Sequence, residues 1–154
     1  METMEFSEYP AFKKFNGMTI LSIDYGTKVI GLATFTPGKD PYPVAYGTII
    51  FKSEKQVIED IKKIIESENI EVLVFGIPRF TDGKESKMTQ KMKAFYKKLS
   101  STIKIQTYEQ DETLTTFEAK ERMLNSPRYN FKIDMKKIDE VSATIILEDF
   151  IKNS

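Results

Sequence analysis

The chain has 154 residues, of which 40% are hydrophobic and 30% are charged. This length and composition predict one folded domain of ordinary size. No apolar run approaches the roughly 20 residues that a membrane-spanning helix needs, so no membrane partner is expected. The first residues lack a basic start followed by an apolar stretch, so we expect no secretory signal and a cytoplasmic protein.

The composition also restricts the chemistry. The sequence contains no cysteine and no histidine, which excludes disulfides, thiol nucleophiles and imidazole bases. Any catalysis must then use carboxylates, hydroxyls, lysines or a bound cation, and carboxylates favour Mg²⁺ or Mn²⁺. Basic and acidic residues both number 23. A net charge of zero counts modestly against a dedicated nucleic-acid binder, but it leaves room for a nuclease with a local basic patch.

The first 17 residues differ from the rest of the chain. Aromatic residues recur there at every third position, while Pro10 interrupts any helix. We interpret residues 1–17 as a peripheral N-terminal extension and residues 18–154 as the folded domain.

Three short strands come next, at residues 19–23, 29–35 and 45–51. The first ends at Asp24, and Gly26 allows the turn that follows it. The connections are short enough for an antiparallel meander.

Helices and strands then alternate. Ser53 and Gln56 form a capping box that opens a helix. A continuous apolar strand at 72–75 and another strand at 104–108 flank a second helix, whose apolar face carries Met88, Met92, Phe95, Tyr96 and Leu99. A third helix is capped at Thr115. The last runs from about 139 to 152, is apolar on most sides and should pack across the sheet.

This order of elements predicts an α/β fold. A meander followed by βαβ units gives a mixed five-stranded sheet in the order 3-2-1-4-5, with helices on both faces.

Acidic residues stand at three ends of the predicted elements. Asp24 closes the first strand, Asp111 and Glu112 follow the fifth, and Asp139 lies in the first turn of the last helix. Parallel strands end at one edge of a sheet, so Asp24 and the Asp111–Glu112 pair should share that edge. Clustered carboxylates resist ionisation unless a cation joins them, and such a cation could drive phosphodiester hydrolysis.

Each of these acids also has a structural interpretation. Asp24 could begin an Asx turn, Asp111 could order its loop, and Asp139 could interact with the helix dipole. Gly76 would normally end a strand, but its missing side chain could also leave room for a carboxylate to approach Asp24.

Four blocks in chain order resemble the YqgF/RuvX family. They are Ile23-Asp24-Tyr25-Gly26-Thr27-Lys28 with Ile30-Gly31-Leu32-Ala33, Val74-Phe75-Gly76-Ile77-Pro78 with Asp82-Gly83, Asp111-Glu112-Thr113-Leu114-Thr115-Thr116, and Ile138-Asp139 with Ser142-Ala143 and Ile146-Leu147. The resemblance covers residues 18–151. It implies an RNase H-like fold and Mg²⁺- or Mn²⁺-dependent phosphodiester cleavage. The implied substrate is the 5′ end of 16S ribosomal RNA or a branched DNA of the Holliday-junction type.

The resemblance also implies the site residues. The catalytic candidates are Asp24, Asp111, Glu112 and Asp139, and the metal ligands are Asp24, Asp111 or Glu112, and Asp139, with Asp111 placed first. Thr113 stands where the family has arginine, and Ser142 where it has alanine. Lys28, Arg79 and Thr113 are the candidate nucleic-acid contacts, whereas the lysines of the second long helix are interpreted as a solvated face.

Other functions remain open. The same fold could serve as a catalytically idle nucleic-acid- or ribosome-associated module, which the neutral charge and Thr113 favour. The turn at Asp24 also resembles the phosphate-binding turn of actin-like ATPases, but the chain is too short for their second domain. Whether the protein is a monomer or a homodimer is not predicted.

Overall fold

The computed structural model describes residues 5–26, 28–78, 87–112 and 115–153. The strands are β1 (Ile20–Asp24), β2 (Val29–Phe35), β3 (Val44–Ile50), β4 (Val72–Ile77) and β5 (Gln106–Asp111). The α-helices are α1 (Pro10–Lys14), α2 (Glu54–Ser67), α3 (Lys87–Thr102), α4 (Thr115–Leu124) and α5 (Ile138–Asn153). Two short 3₁₀ helices, Phe6–Glu8 and Pro127–Tyr129, precede α1 and follow α4.

The five strands form one sheet in the order β3-β2-β1-β4-β5. The first three strands pair antiparallel, whereas β1, β4 and β5 run parallel. This arrangement confirms the predicted mixed sheet and its order. It also places the carboxyl ends of β1, β4 and β5 at one edge.

Helices cover both faces of the sheet, as predicted. One face packs against α2 and α3 in a core that contains Leu21, Ile23, Phe75 and Phe95. The other face packs against α5 and α1, and a smaller cluster joins α4 to α5. The nine buried residues of α5 explain why its sequence is apolar on most sides. No helix in the part of the chain that the structure describes is long and apolar enough to cross a membrane.

The start of α2 follows directly from its sequence. The Ser53 side chain accepts a hydrogen bond from the Gln56 backbone N–H at 3.1 Å, and the Gln56 side chain accepts one from the Ser53 N–H at 3.3 Å. The predicted capping box is therefore present. It satisfies two backbone donors that have no partner within the helix.

Some predicted bounds were wrong, most importantly those of β4 and β5. The β4 strand continues through Gly76 to Ile77, so Gly76 does not end it. The β5 strand begins two residues later than predicted and ends at Asp111, which pairs with Ile77. An edge strand with polar residues gives little hydrophobic signal for its ends. Thr115 is the first residue of α4 rather than the residue before it.

The N-terminal segment contains a helix that the sequence did not predict. Pro10 occupies the first turn of α1, where a missing N–H breaks no helical hydrogen bond. Ala11 and Phe15 are buried, and the Phe15 ring lies 5.6 Å from the rings of Tyr108 and Phe150. Residues 5–17 therefore contact the core. Their assignment as a peripheral extension, separable from residues 18–154, stays a prediction.

We expect Phe15→Ala to lower the free energy of unfolding by about 3–5 kcal/mol, because it empties a buried site beside the Tyr108 and Phe150 rings. Urea unfolding followed by circular dichroism measures the change. Lys13→Ala, at an exposed position of α1 two residues earlier, should change stability by less than about 0.5 kcal/mol. Equal, small effects of both substitutions would show that the N-terminal segment adds nothing to the core.

Candidate active site

Asp24 ends β1 on the face that α5 covers. Side chains alternate along a strand, and Leu21 and Ile23 enter the core beneath α2 and α3. Ser22 faces the other way, where its hydroxyl donates a hydrogen bond to the Ala143 carbonyl of α5 at 2.7 Å. The half-buried Asp24 carboxyl, two residues after Ser22, therefore points toward the start of α5.

The first turn of α5 lies directly on Gly31. This residue pairs with Asp24 across the β1–β2 ladder, and a Cβ atom at Gly31 would overlap the Asp139 carbonyl group. Because Gly31 has no side chain, the Asp139 backbone reaches the sheet beside Asp24. Asp139 is half-buried there, and its charge acts on Asp24.

Glu112 supplies the third carboxylate. Its N–H donates to the Ile77 carbonyl at 3.1 Å, which fixes the chain just beyond β5. A Cβ atom at Gly76 would lie 3.0 Å from a Glu112 carboxylate oxygen and would overlap the Ile146 side chain. The expectation that Gly76 leaves room for a carboxylate is therefore confirmed. The carboxylate is that of Glu112, which is 9% exposed.

The other predicted site residues lie elsewhere. Asp111 shares the same edge of the sheet, but its side chain is exposed, and strand alternation directs it toward the face that α3 covers. Lys28 is exposed in the turn after Asp24. Arg79, Thr113 and the Asp82–Gly83 pair lie outside the described residues.

Burial and proximity raise the pKa values of the three carboxyls. Burial raises the pKa of Asp24 well above its usual range, and the charges of Glu112 and then Asp139 raise it further. Burial also raises the pKa of Glu112, although a hydrogen bond from Asp24 opposes that effect. Burial alone raises the pKa of Asp139. Burial therefore disfavours the charged form of both carboxyls, and the hydrogen bond between Asp24 and Glu112 allows the pair to share a proton.

Tyr96 is a neighbour of this site that the sequence did not identify. Its buried hydroxyl donates to the Gly76 carbonyl at 2.9 Å, and its ring stacks on Phe75 at 4.1 Å. Burial, followed by the charges of Glu112 and Asp24, raises its pKa well above the usual range. Its helical spacing predicted only a core residue, because spacing carries no information about a hydroxyl's partner.

The donor set suits a hard divalent cation. Asp24, Glu112 and Asp139 offer only carboxylate oxygens, which Mg²⁺ and Mn²⁺ prefer. These three side chains do not form a complete metal site in this conformation. Among the described residues, no group of three or more acidic side chains is arranged to hold an ion. The proton that Asp24 shares with Glu112 nevertheless marks a place where one positive charge relieves the repulsion between the two carboxyls. A cation could replace that proton.

We expect Asp24→Asn to raise the thermal midpoint by a few degrees at pH 8 in the presence of EDTA. The folded protein disfavours the charged form of Asp24, whereas the unfolded chain ionises it above a pKa of about 3.9, so the parent loses stability as the pH rises. Asparagine can still donate to Glu112 but cannot ionise. The stability difference should shrink toward pH 4, as thermal unfolding across a pH series can measure. A constant difference, or one that grows on acidification, would show that the folded protein does not raise the pKa of Asp24.

Comparison with known proteins agrees with this architecture. The family model described as RuvX, Holliday junction resolvase, matches residues 18–153. Among similar curated proteins, one from Haemophilus ducreyi is 35% identical over 138 residues, covering 88% of this chain and 97% of that protein. One from Shewanella denitrificans is 32% identical over 137 residues, covering 88% and 94%. Both carry the name "Putative pre-16S rRNA nuclease".

Solved structures share the fold at low sequence identity. The Thermus thermophilus RuvC structure in complex with Holliday junction substrate aligns with a TM-score of 0.58 at 9% identity, covering 86% of this chain and 94% of that one. The fowlpox virus Holliday junction resolvase aligns with a TM-score of 0.57 at 12% identity, covering 89% and 100%. The fold is therefore that of the RuvC-like, RNase H-like nucleases, and over residues 18–153 the chain belongs to the RuvX family.

Proposed function

We propose that this protein is a metal-dependent nuclease that hydrolyses phosphodiester bonds in structured nucleic acid, with Asp24, Glu112 and Asp139 as its catalytic carboxylates. The observation that carries the proposal is their convergence from three separate elements. The end of β1, the residue after β5 and the first turn of α5 bring together side chains that are far apart in sequence. The family membership supports the same chemistry.

The energetic cost of this arrangement argues for a functional role. Burial raises the pKa values of all three carboxyls, and the charges of Glu112 and Asp139 raise that of Asp24 further, so ionising them costs the folded protein stability. Strongly perturbed acids that share one edge of an α/β sheet are typical of functional sites.

The three carboxylates would act together in the reaction. Asp24 and Glu112, the closest pair, would hold Mg²⁺ or Mn²⁺ together with Asp139. Such an ion lowers the pKa of bound water and neutralises charge on the phosphate. Asp139 would complete this ligand set from the first turn of α5, where it is half-buried. Gly31 and Gly76 would keep these carboxyls close together.

The sequence predicts Asp111, rather than Glu112, as the preferred metal ligand at the end of β5. We propose Glu112 instead, because its carboxylate lies beside Gly76 on the α5 face, whereas that of Asp111 is exposed. Asp111 would act indirectly, since its charge raises the pKa of Glu112.

For the substrate, we propose structured RNA of the pre-16S type before branched DNA, because the curated relatives carry the rRNA name. Lys28 would contact phosphate beside Asp24, and Arg79 and Thr113 are the further candidate contacts. A cytoplasmic location belongs to the same proposal. The competing candidate is a catalytically idle module, which the zero net charge and Thr113 favour.

We expect the parent protein to cleave a pre-16S leader hairpin, or a four-way DNA junction, when Mg²⁺ or Mn²⁺ is present. Asp24→Asn and Glu112→Gln should each reduce the rate at least about 100-fold, which is the usual scale for losing a group that acts in the transition state. Asp111→Asn should keep most of the activity. Gel-based cleavage assays measure these rates.

A second measurement separates metal binding from activity. Mn²⁺ should raise the thermal midpoint of the parent but not of Asp24→Asn, because only a ligand of the folded state stabilises it. A Mn²⁺ shift without cleavage of either substrate would favour the idle module. No shift in the parent would contradict the metal site itself.

Thr113→Arg tests the position where the chain lacks the family's arginine. Arginine can make paired, charge-assisted hydrogen bonds to phosphate that threonine cannot. We expect tighter binding to a structured RNA and to a DNA junction, with a salt slope steeper by about one. Fluorescence anisotropy across a salt series measures both. If affinity and slope stay the same on both nucleic acids, position 113 has no role in binding.

A further inference from the structure

The segment between α4 and α5 is unusually basic for a chain without net charge. Residues 125–137 contain Arg128, Lys132, Lys136 and Lys137 against one acid, Asp134. All four basic residues are exposed, whereas Asp134 is half-buried. The Asp134 carboxylate accepts a hydrogen bond from the Lys136 N–H at 3.0 Å. It therefore helps to order the backbone beneath the basic side chains.

Large apolar side chains are exposed between these basic residues. Phe131 is 60% exposed, Ile133 40% and Met135 64%. They alternate with Lys132, Asp134 and Lys136, and none of them belongs to a hydrophobic cluster of the described residues. Single exposed apolar residues are common, but three in one short basic segment form a surface suited to a ligand.

Phe131 also has an unfavourable backbone conformation. Its φ is +59°, and that of the preceding Asn130 is +55°. Asparagine tolerates this region well, but a bulky aromatic residue there is uncommon. The Phe131 N–H donates to the Ser126 carbonyl at 3.0 Å, so the turn itself is ordered. The chain thus holds an aromatic ring in solvent at a position where neither burial nor backbone preference favours it.

The segment is attached to the helix that carries Asp139. Tyr129 packs against the cluster that includes Ile138 and Val141 of α5. The Lys137 N–H donates to the Asp134 carbonyl at 3.0 Å, and the Lys137 carbonyl accepts from Val141 in the first turn of α5. Lys137 is thus two residues before Asp139 and fixed to the same helix start. A ligand on this segment would lie next to the carboxylates.

We propose that residues 126–137 form a binding surface for an unpaired nucleic-acid strand, with Phe131 stacking on a base and Arg128, Lys132 and Lys136 contacting its phosphates. Alternation of cations and exposed aromatic or apolar groups is what such strands require, since every base offers a face for stacking. A base in a duplex already stacks on its neighbours and cannot cover Phe131. The surface therefore selects unpaired segments beside the cleavage site, and to that extent the inference rests on the proposed nuclease function.

The experiment measures binding without cleavage. The fluorescence anisotropy of a short labelled RNA strand, and of the blunt duplex made from it, is followed in EDTA with parent protein, Phe131→Leu and Phe131→Tyr. We expect Phe131→Leu to weaken binding of the single strand by about 5- to 150-fold, the range for losing one stacked base. Duplex binding should change by less than about twofold, and Phe131→Tyr should keep the parent affinity because it keeps the ring.

Charge is tested separately. The double variant Lys132→Gln/Lys136→Gln should reduce the salt slope on single-stranded RNA by about 1.4, the value for two lost phosphate contacts. Lys104→Gln is the matched control, since Lys104 is exposed at the opposite edge of the sheet, and it should leave the slope unchanged.

A third variant, Phe131→Asn, removes the ring but has a side chain that tolerates a positive φ. It should keep or raise the thermal midpoint while losing the same affinity as Phe131→Leu.

Three results would overturn the inference. They are a parent protein that does not bind the single strand, a Phe131→Leu variant that binds it as tightly as the parent, and a loss of affinity that is equal on strand and duplex. The first two would leave a protein partner as the occupant of this surface. Because these measurements need no metal, a protein that binds as expected but never cleaves would contradict the proposed nuclease function and leave this inference standing.

Discussion

The close approach of α5 to the sheet at Gly31 is the constraint on which the rest of the site depends. Any side chain at this position would overlap the Asp139 carbonyl group. Gly31 is also the ladder partner of Asp24, so one missing side chain brings two carboxylates together from opposite ends of the chain. The hydrogen bond from Ser22 to Ala143 fixes the same helix one turn later. Together these contacts determine both the height and the rotation of α5 over β1.

The same close packing makes the site electrostatically costly. Asp24 and Glu112 are brought together in surroundings that disfavour their charged forms, and a shared proton relieves part of the repulsion. Tyr96 contributes to the same environment, because its ring stacks on Phe75 and its hydroxyl donates a hydrogen bond to the Gly76 carbonyl. Tyr96 therefore fills the α3 side of the sheet directly beneath Gly76. The carboxylates are left to interact with one another and with whatever enters from the α5 side.

The sheet order could be predicted from the sequence because short connections require a meander and the alternation of helices and strands requires parallel pairing. The identity of the third carboxylate could not. It depends on where β5 ends, since neighbouring residues on a strand face opposite sides, and a polar edge strand gives a weak signal for its ends. A strand predicted to end at 108 does not determine which faces Asp111 and Glu112 point to, whereas a strand that ends at Asp111 directs the two side chains to opposite faces. The positive φ of Phe131 was likewise invisible, because nothing in its sequence neighbourhood requires that residue to adopt it.

The zero net charge of the whole chain is a weak argument against nucleic-acid binding, because a polyanion interacts with the charges near its binding site. The basic residues of the segment between α4 and α5 are gathered within a few positions, and the start of α5 connects them rigidly to Asp139. Screening in salt limits the reach of exposed charges to about 8–10 Å, so the local density of charge matters more than the total. A strand held at that segment would interact with its lysines at short range, while distant acids such as those of α2 would have little effect. Position along the fold, rather than composition, therefore decides whether a neutral chain can bind a polyanion next to a cluster of carboxylates.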